Sequence, residues 1–443
     1  MELNYTYHYK KNLRLAWPII VGQMGHMMTH LADSVMVGQL GAISLAAASL
    51  SGSIVAVIMV FGMGISFSAT PFVAENDRKG KEQDLSSLLF NGSILHISVG
   101  ILIALLLILA APILNYMNQS PEVVAEAIPY FRYLGASMLP VIVFMSFKQY
   151  AEGLSKTQVA MYISILGNVL NIGLNVIFIY GIEGLIPAYG LKGAGIATLI
   201  ARILMSLSMA FYVLVIIKKQ RRLKLILSLF DFSKISEMFR LGLPIAGQMV
   251  FEVGAFAGAS VMAGWISPEA QAAHQIVIVL ASITYMAANG LGSAATVRVG
   301  NQIGLKDFKT MRIAASSIFH MVGAIMFFFA IIFVLTRNIL PAFFIENEEV
   351  LDICSGLMIL AALFQLSDGL QVAALGSLRG LKDVKWPSML SLLTYWIISL
   401  PLGYVLAFNL ELGVNGLWIS FCIALALAAI FLVLRFYRKA ALI

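Results

Sequence analysis

Apolar stretches longer than 20 residues alternate with short polar breaks along the whole chain. They run from Leu15 to Gln39, Leu45 to Val73, Leu88 to Ala111, Ile128 to Gln149, Val159 to Ile182 and Leu191 to Ile217. A second set runs from Phe239 to Ile266, His274 to Val299, Ile313 to Leu335, Val350 to Leu378, Pro387 to Phe408 and Gly413 to Leu434. A membrane helix needs about 20 apolar residues and a barrel strand only about 10, so each stretch reads as one spanning helix. The pattern predicts an all-α polytopic membrane protein of twelve spans. The second and tenth are long enough to tilt or protrude.

The longest polar break, Lys218 to Ser236, divides the spans into six and six. The expected organisation is an N-lobe over 1–217, a linker over 218–238 and a C-lobe over 239–443. The halves repeat. A shift of 226 positions pairs Arg14 with Arg240, Leu15 with Leu241, Pro18 with Pro244 and Ile19 with Ile245. The same shift pairs Ser34, Val35 and Met36 with Ser260, Val261 and Met262, Gly64 with Gly290, and Ala69 and Thr70 with Ala295 and Thr296. One register holding across two successive spans indicates duplication. Six spans per half is even, so both halves enter from the same side. That makes the repeat parallel, about an axis along the membrane normal, with binding expected at the midplane between the halves. Pro18 and Pro244 hold equivalent places in the two lead helices, where a missing N–H allows a bend.

Composition narrows the class. Of 443 residues, 60% are apolar and 12% charged, and mean hydropathy is +0.91. This excludes a soluble enzyme, a disordered chain and a DNA-binding domain. The net charge of +7 reports loop charge instead. All but Arg132, Lys192, Arg202 and Arg337 of the 29 lysines and arginines fall on one side of the twelve-span map. The positive-inside rule puts that side, and both termini, in the cytoplasm of a plasma-membrane protein. The opposite loops are acidic, with Glu122, Glu126, Glu183, Glu269, Glu346, Glu348, Glu349 and Glu411. The amino-terminal stretch from Met1 to Asn12 shows no cleavage site and reads as retained. Cys354 and Cys422 lie in apolar stretches and offer neither a disulfide framework nor a metal quartet.

Candidate chemistry lies in the polar residues inside the spans. Asp33, Glu252 and Asp368 each cost about 2.5–3.5 kcal/mol at a bilayer centre, so they point to a proton or cation exchanger. Arg202 is the only lysine or arginine expected deep inside a span, a structural partner for a carboxylate or for carbonyls. Gln23, His26, His30 and Asp33 share one face of the first span, which must look inward. Asn168, Asn171 and Asn175 repeat that spacing in the fifth, Gln248 and Glu252 lie one turn apart in the seventh, and Gln365, Asp368 and Gln371 share a face of the tenth. Phe256, near Glu252, and Phe364, near Asp368, could form the adaptable apolar wall of a multidrug pocket. There is no GxxxxGK[ST] loop, HExxH or GxSxG, so the chain neither burns ATP itself nor resembles an intramembrane hydrolase. Secondary transport remains.

Four segments carry a resemblance to the multidrug and toxic compound extrusion (MATE) family over essentially the whole chain. They are Pro18-Ile-Ile-Val-Gly-Gln with Asp33-Ser-Val-Met-Val-Gly, Gly193-Ala-Gly-Ile-Ala-Thr, Gly290-Leu-Gly-Ser-Ala-Ala-Thr-Val-Arg-Val-Gly, and Asp368-Gly-Leu-Gln with Leu378-Arg-Gly-Leu-Lys-Asp. The acid in the seventh span, Glu252, resembles the mark of the NorM-like branch, and Asp368 matches that branch's tenth-span aspartate. The resemblance implies two six-helix lobes forming a V that alternates between inward and outward openings, exporting organic cations against Na+ or H+. It implies a coupling site at Glu252, Asp368 and Asp33, with Na+, if sodium is the coupling ion, at Glu252 and Asp368. It also implies an N-lobe network of Asn171, Asn175 and Thr198, and a substrate cleft near Gln275 and Ser53. Phe364 stands where some relatives carry tyrosine, and His26 and His30, two further candidates for the substrate cleft, lie outside the family's motifs. The expectation is a non-enzymatic antiporter without cofactor, a monomer whose partners are small cationic amphipathic substrates and the bilayer, with no nucleic acid. The alternative is a flippase for lipid-linked oligosaccharide, disfavoured because a pyrophosphate headgroup calls for arginines and lysines in the cavity.

Overall fold

The computed structural model describes residues 4–443. Met1 to Leu3, the beginning of the amino-terminal stretch read as retained, lie outside the described residues. Twelve helical segments follow in order: α1 (Tyr5–Gly38), α2 (Ala42–Lys79), α3 (Glu82–Tyr116), α4 (Pro121–Gly153), α5 (Thr157–Tyr180) and α6 (Leu191–Gln220), then α7 (Phe232–Ile266), α8 (Pro268–Leu305), α9 (Phe308–Leu335), α10 (Glu348–Gly380), α11 (Lys385–Asn409) and α12 (Gly413–Leu442). Eleven are long and apolar enough to cross a membrane, and α1 is the more polar twelfth. Among the described residues there is no strand beyond an isolated bridge between Ile182 and Ile186. In lipid this is the expected outcome, because each helix satisfies its own backbone groups. Side chains cap several ends: Ser267 accepts from Ala270 N at 3.0 Å, Asp307 from Thr310 N at 3.0 Å and Asn347 from Val350 N at 3.1 Å. Most helices outrun their apolar stretches. The polar break between the halves narrows to 221–231, because α6 continues to Gln220 and α7 starts at Phe232.

The chain packs as two compact units. One takes the residues up to Ile20 together with Gly247–Ile443, and the other takes Val21–Ala246. Both divisions fall within a lead helix, two residues after Pro18 in α1 and two after Pro244 in α7. The first half of each lead helix thus belongs with the opposite half of the sequence. Two glycines fit this arrangement. A Cβ on Gly290 of α8 would lie 2.3 Å from Ile20, and one on Gly64 of α2 would lie 2.3 Å from Ala246. Ile20 and Ala246 are themselves 226 positions apart, as Gly64 and Gly290 are, so both units use one close helix crossing. Without a hydrophobic drive between helices in lipid, such small-residue contacts supply the packing energy.

In the first unit, Trp418 and Phe421 of α12, Tyr395 of α11 and Leu357 of α10 lie in one buried core. α8 and α10 meet backbone to backbone there, since a Cβ on Gly376 would lie 2.0 Å from the Gly292 carbonyl oxygen. In the second unit, Leu107 of α3, Phe131, Met138 and Ile142 of α4 and Ile179 of α5 form the core.

Candidate cation-binding site

α7 and α10 each carry one of the two deepest acids in the first unit. Glu252 is 7% exposed and Asp368 4% exposed, and the two carboxylates interact electrostatically. Helical spacing places an amide beside each. Gln248, one turn before Glu252, donates from Nε2 to Glu252 Oε2 at 3.1 Å. Gln365 and Gln371 flank Asp368 three residues to either side. Gln365 Oε1 accepts from the Thr284 hydroxyl of α8 at 2.8 Å, and Gln371 Nε2 donates to the Tyr395 hydroxyl of α11 at 2.8 Å. The Tyr285 hydroxyl of α8 hydrogen-bonds Glu252. Four helices therefore converge two carboxylates, two phenols and three amides on one buried locus. Two buried amide atoms there, Gln365 Nε2 and Gln371 Oε1, have no protein partner. Such atoms are rarely left unpaired in folded proteins, so these two are available to pair with a polar occupant.

The second unit holds the other acid. Asp33 of α1 accepts from Asn175 Nδ2 of α5 at 2.5 Å, and the same Asn175 nitrogen reaches Asn171 Oδ1 at 3.5 Å. Asn168, a turn before Asn171, is buried against Gly25 of α1, where a Cβ would come within 3.0 Å of its amide nitrogen. His30 and Arg202 lie within electrostatic reach of Asp33. Arg202 itself donates to the Ser137 hydroxyl at 2.7 Å and to the Met59 sulfur at 3.7 Å. Thr198 is half-buried on α6 and takes no part in the described hydrogen bonds of Asp33.

The remaining cleft candidates divide by exposure. His26, His30 and Ser53 are exposed on the second unit and Gln275 on the first. Phe364 is instead 4% exposed and meets Trp418 edge-on, with ring centroids 5.6 Å apart. Phe256 is half-buried and packs on Phe421 at 4.7 Å and Tyr395 at 6.1 Å. It touches the acid site through Tyr395, while Phe364 belongs to the core beside it. The hydroxyls that Phe364 cannot supply come from Tyr285 and Tyr395, on other helices.

Arg202 is not the only base inside the helices. Arg298 of α8 is fully buried, donating to Asn12 Oδ1 at 3.0 Å and meeting His8 Nδ1 at 2.7 Å. Arg379, in the last turn of α10, donates to Gln248 Oε1 at 2.6 Å. Counting charges by side places both with the basic loops. The helices run past the apolar stretches and carry these residues into packed surroundings, so charge counting alone misplaces them. Glu152, in the last turn of α4, is a further buried carboxylate, 2% exposed, with Lys148 one turn away at 3.8 Å.

Comparison with known proteins identifies the family and the fold. The MatE family matches residues 18–177 and again 244–405, so the two matches begin at Pro18 and Pro244, the register of the internal repeat. A probable multidrug resistance protein NorM of Agrobacterium fabrum is 34% identical over 436 residues, covering 97% of this chain and 93% of that protein. The multidrug resistance protein NorM of Photobacterium profundum is 33% identical over 443 residues, covering 98% and 96%. Among solved structures, that of a MATE protein in complex with MaL6 superposes with a TM-score of 0.90 at 21% identity, covering 98% of this chain and 96% of that one. That likeness shows the shared fold, while the family matches and the relatives carry the assignment. With its duplicated six-span halves and an acid in the seventh span, the chain belongs to the multidrug and toxic compound extrusion family, in its NorM-like branch.

Proposed function

We propose that this protein is a secondary active multidrug efflux antiporter of the plasma membrane, exporting organic cations in exchange for Na+ or H+ by alternating access. The observation that carries the reading is the pairing of Glu252 and Asp368 in one buried site of the first unit. Two carboxylates in one low-dielectric site repel each other, and a proton, a metal ion or an organic cation relieves that repulsion. Occupants that satisfy the same charges exclude one another, and linkage makes that exclusion reciprocal. The coupling ion, taken up from outside, displaces the drug, and reorientation then releases the ion inside. The phenols of Tyr285 and Tyr395 and the free Gln371 Oε1 offer neutral oxygen ligands of the kind a hard cation or a hydronium accepts. Asp33, tied to Asn175, is the acid of the second unit that assists the exchange. The names of the NorM relatives support the drug-export half of the reading, and the basic side of the map supports cytoplasmic termini.

The test is ethidium efflux from de-energised cells expressing the protein, driven separately by an imposed sodium gradient and an imposed pH gradient. Efflux under either gradient identifies an antiporter and its coupling ion. Efflux under neither contradicts the reading and turns attention to a non-cationic, lipid-type substrate.

A further inference from the structure

Gln248 is held from both ends. Its Oε1 accepts from the Arg379 guanidinium at 2.6 Å, and its Nε2 donates to Glu252 at 3.1 Å. The amide can take only this orientation, because the flipped one would set NH2 against a guanidinium and oxygen against a carboxylate. Arg379 therefore lies one amide away from Glu252, and its charge reaches that carboxylate. It also lies 11 residues after Asp368 on α10, three turns along the same face of the helix. The groups around Glu252 are Gln248 on its own helix, Tyr285 on α8, Asp368 and Arg379 on α10, and Tyr395 on α11. Among these described residues Arg379 is the one cation.

The repeat shows that packing does not require a base there. Gly380 of the first unit and Gly153 of the second occupy matching environments. A Cβ on Gly380 would lie 2.7 Å from Val299 and 2.9 Å from the Thr296 carbonyl, and one on Gly153 would lie 2.7 Å from Val73 and 3.1 Å from the Thr70 carbonyl. The residue before Gly380 is Arg379, and the residue before Gly153 is Glu152. One scaffold thus carries opposite charges at one place, and the positive one occurs in the unit whose paired acids are linked to it.

We infer that Arg379 is a positioning residue that sets how tightly the Glu252 and Asp368 site holds its exchanged cation, acting through Gln248 as a tethered competitor for the negative charge. The inference rests on the antiport reading. With Arg379 in place, a bound ion or drug meets acids already partly compensated, so it leaves readily for the other side of the membrane. Without it, the site holds its cation more tightly and turnover slows.

The experiment reconstitutes the full chain in proteoliposomes with ethidium as the transported probe, and titrates external Na+ at fixed pH and external protons without Na+. For Arg379→Gln the half-saturating concentration of the driving ion should fall by about threefold or more while the maximal rate also falls. If protons drive transport, the pH profile should move to higher pH. Arg379→Lys, which keeps the charge, should restore the half-saturating concentration towards wild type. Gln248→Met removes the tether with little change in volume, and should shift half-saturation in the same direction as Arg379→Gln even if that variant fails to fold. Driven efflux in the wild type with unchanged half-saturation in Gln248→Met and in any folded Arg379→Gln would overturn this inference alone. No driven efflux in the wild type overturns the antiport reading and this inference with it.

Discussion

Gln371 donates its amide to the Tyr395 hydroxyl at 2.8 Å, across from α10 to α11 and at full burial. The other amide atom of Gln371 has no protein partner. Tyr395→Phe would therefore leave both ends of a buried amide unmade. The expected result is a loss of about 1–3 kcal/mol in unfolding stability of the detergent-solubilised protein. An unfolding midpoint equal to wild type would contradict this role for the phenol.

This pair also marks where the sequence stops being legible. The twelve spans, their duplication and the three midspan acids follow from hydropathy, register and the rarity of carboxylates in lipid. Tyr395 does not. It lies in π-helical turns of α11 spanning Leu392–Ser399, where the 3.6-residue period that assigns helix faces no longer applies. Tyr285 is missed for another reason: its bond to Glu252 depends on the rotation of α8 against α7, which no single-helix pattern encodes. Arg379 and Arg298 were hidden by their nearness to the loops, since charge alternation records which side a residue lies on and not whether it is packed.

The backbone contact between α8 and α10 yields a stability prediction. A Cβ on Gly376 would come within 2.0 Å of the Gly292 carbonyl oxygen, whereas one on Gly38 meets nothing within 4 Å. Gly376→Ala should lower unfolding stability by about 1–3 kcal/mol or prevent accumulation of folded protein in the membrane. Gly38→Ala should leave both the unfolding midpoint and the membrane level close to wild type, and equal effects of the two changes would contradict the crossing.

Asp33 and Asn175 allow charge to be separated from shape. Asp33→Asn keeps an oxygen to accept from Asn175 Nδ2 but removes the negative charge. Ethidium efflux should fall by about tenfold or more, a step of about 1.4 kcal/mol, with the amount of protein in the membrane unchanged. Full efflux in this variant would remove Asp33 from the exchange machinery.

Asp307, in the turn between α8 and α9, gives a pH dependence outside the spans. Hydrogen bonds from the Thr310 side chain and backbone hold its carboxyl below the usual aspartate value. A carboxyl lowered in the fold stabilises it above the unfolded value of about 3.9, and that contribution is lost as pH falls through the folded value. Asp307→Ala should cost about 1 kcal/mol near neutral pH, as loss of a helix cap does. Unfolding midpoints measured from pH 7 down should show the gap between wild type and variant closing only in that acid range. A constant gap would mean the carboxylate charge plays no part in the cap.

The central claim is that drug and coupling ion compete for one site containing Glu252 and Asp368. If so, a drug gradient must move the ion. The direct measurement is ion uptake into proteoliposomes preloaded with ethidium and diluted into ethidium-free medium, with 22Na+ and an internal pH dye as the two readouts. Ethidium-dependent uptake of one ion by wild type, absent in Glu252→Gln and Asp368→Asn that are present in equal amount, is the predicted result. Ethidium leaving with no accompanying ion movement, or uptake that persists in both variants, would contradict the account.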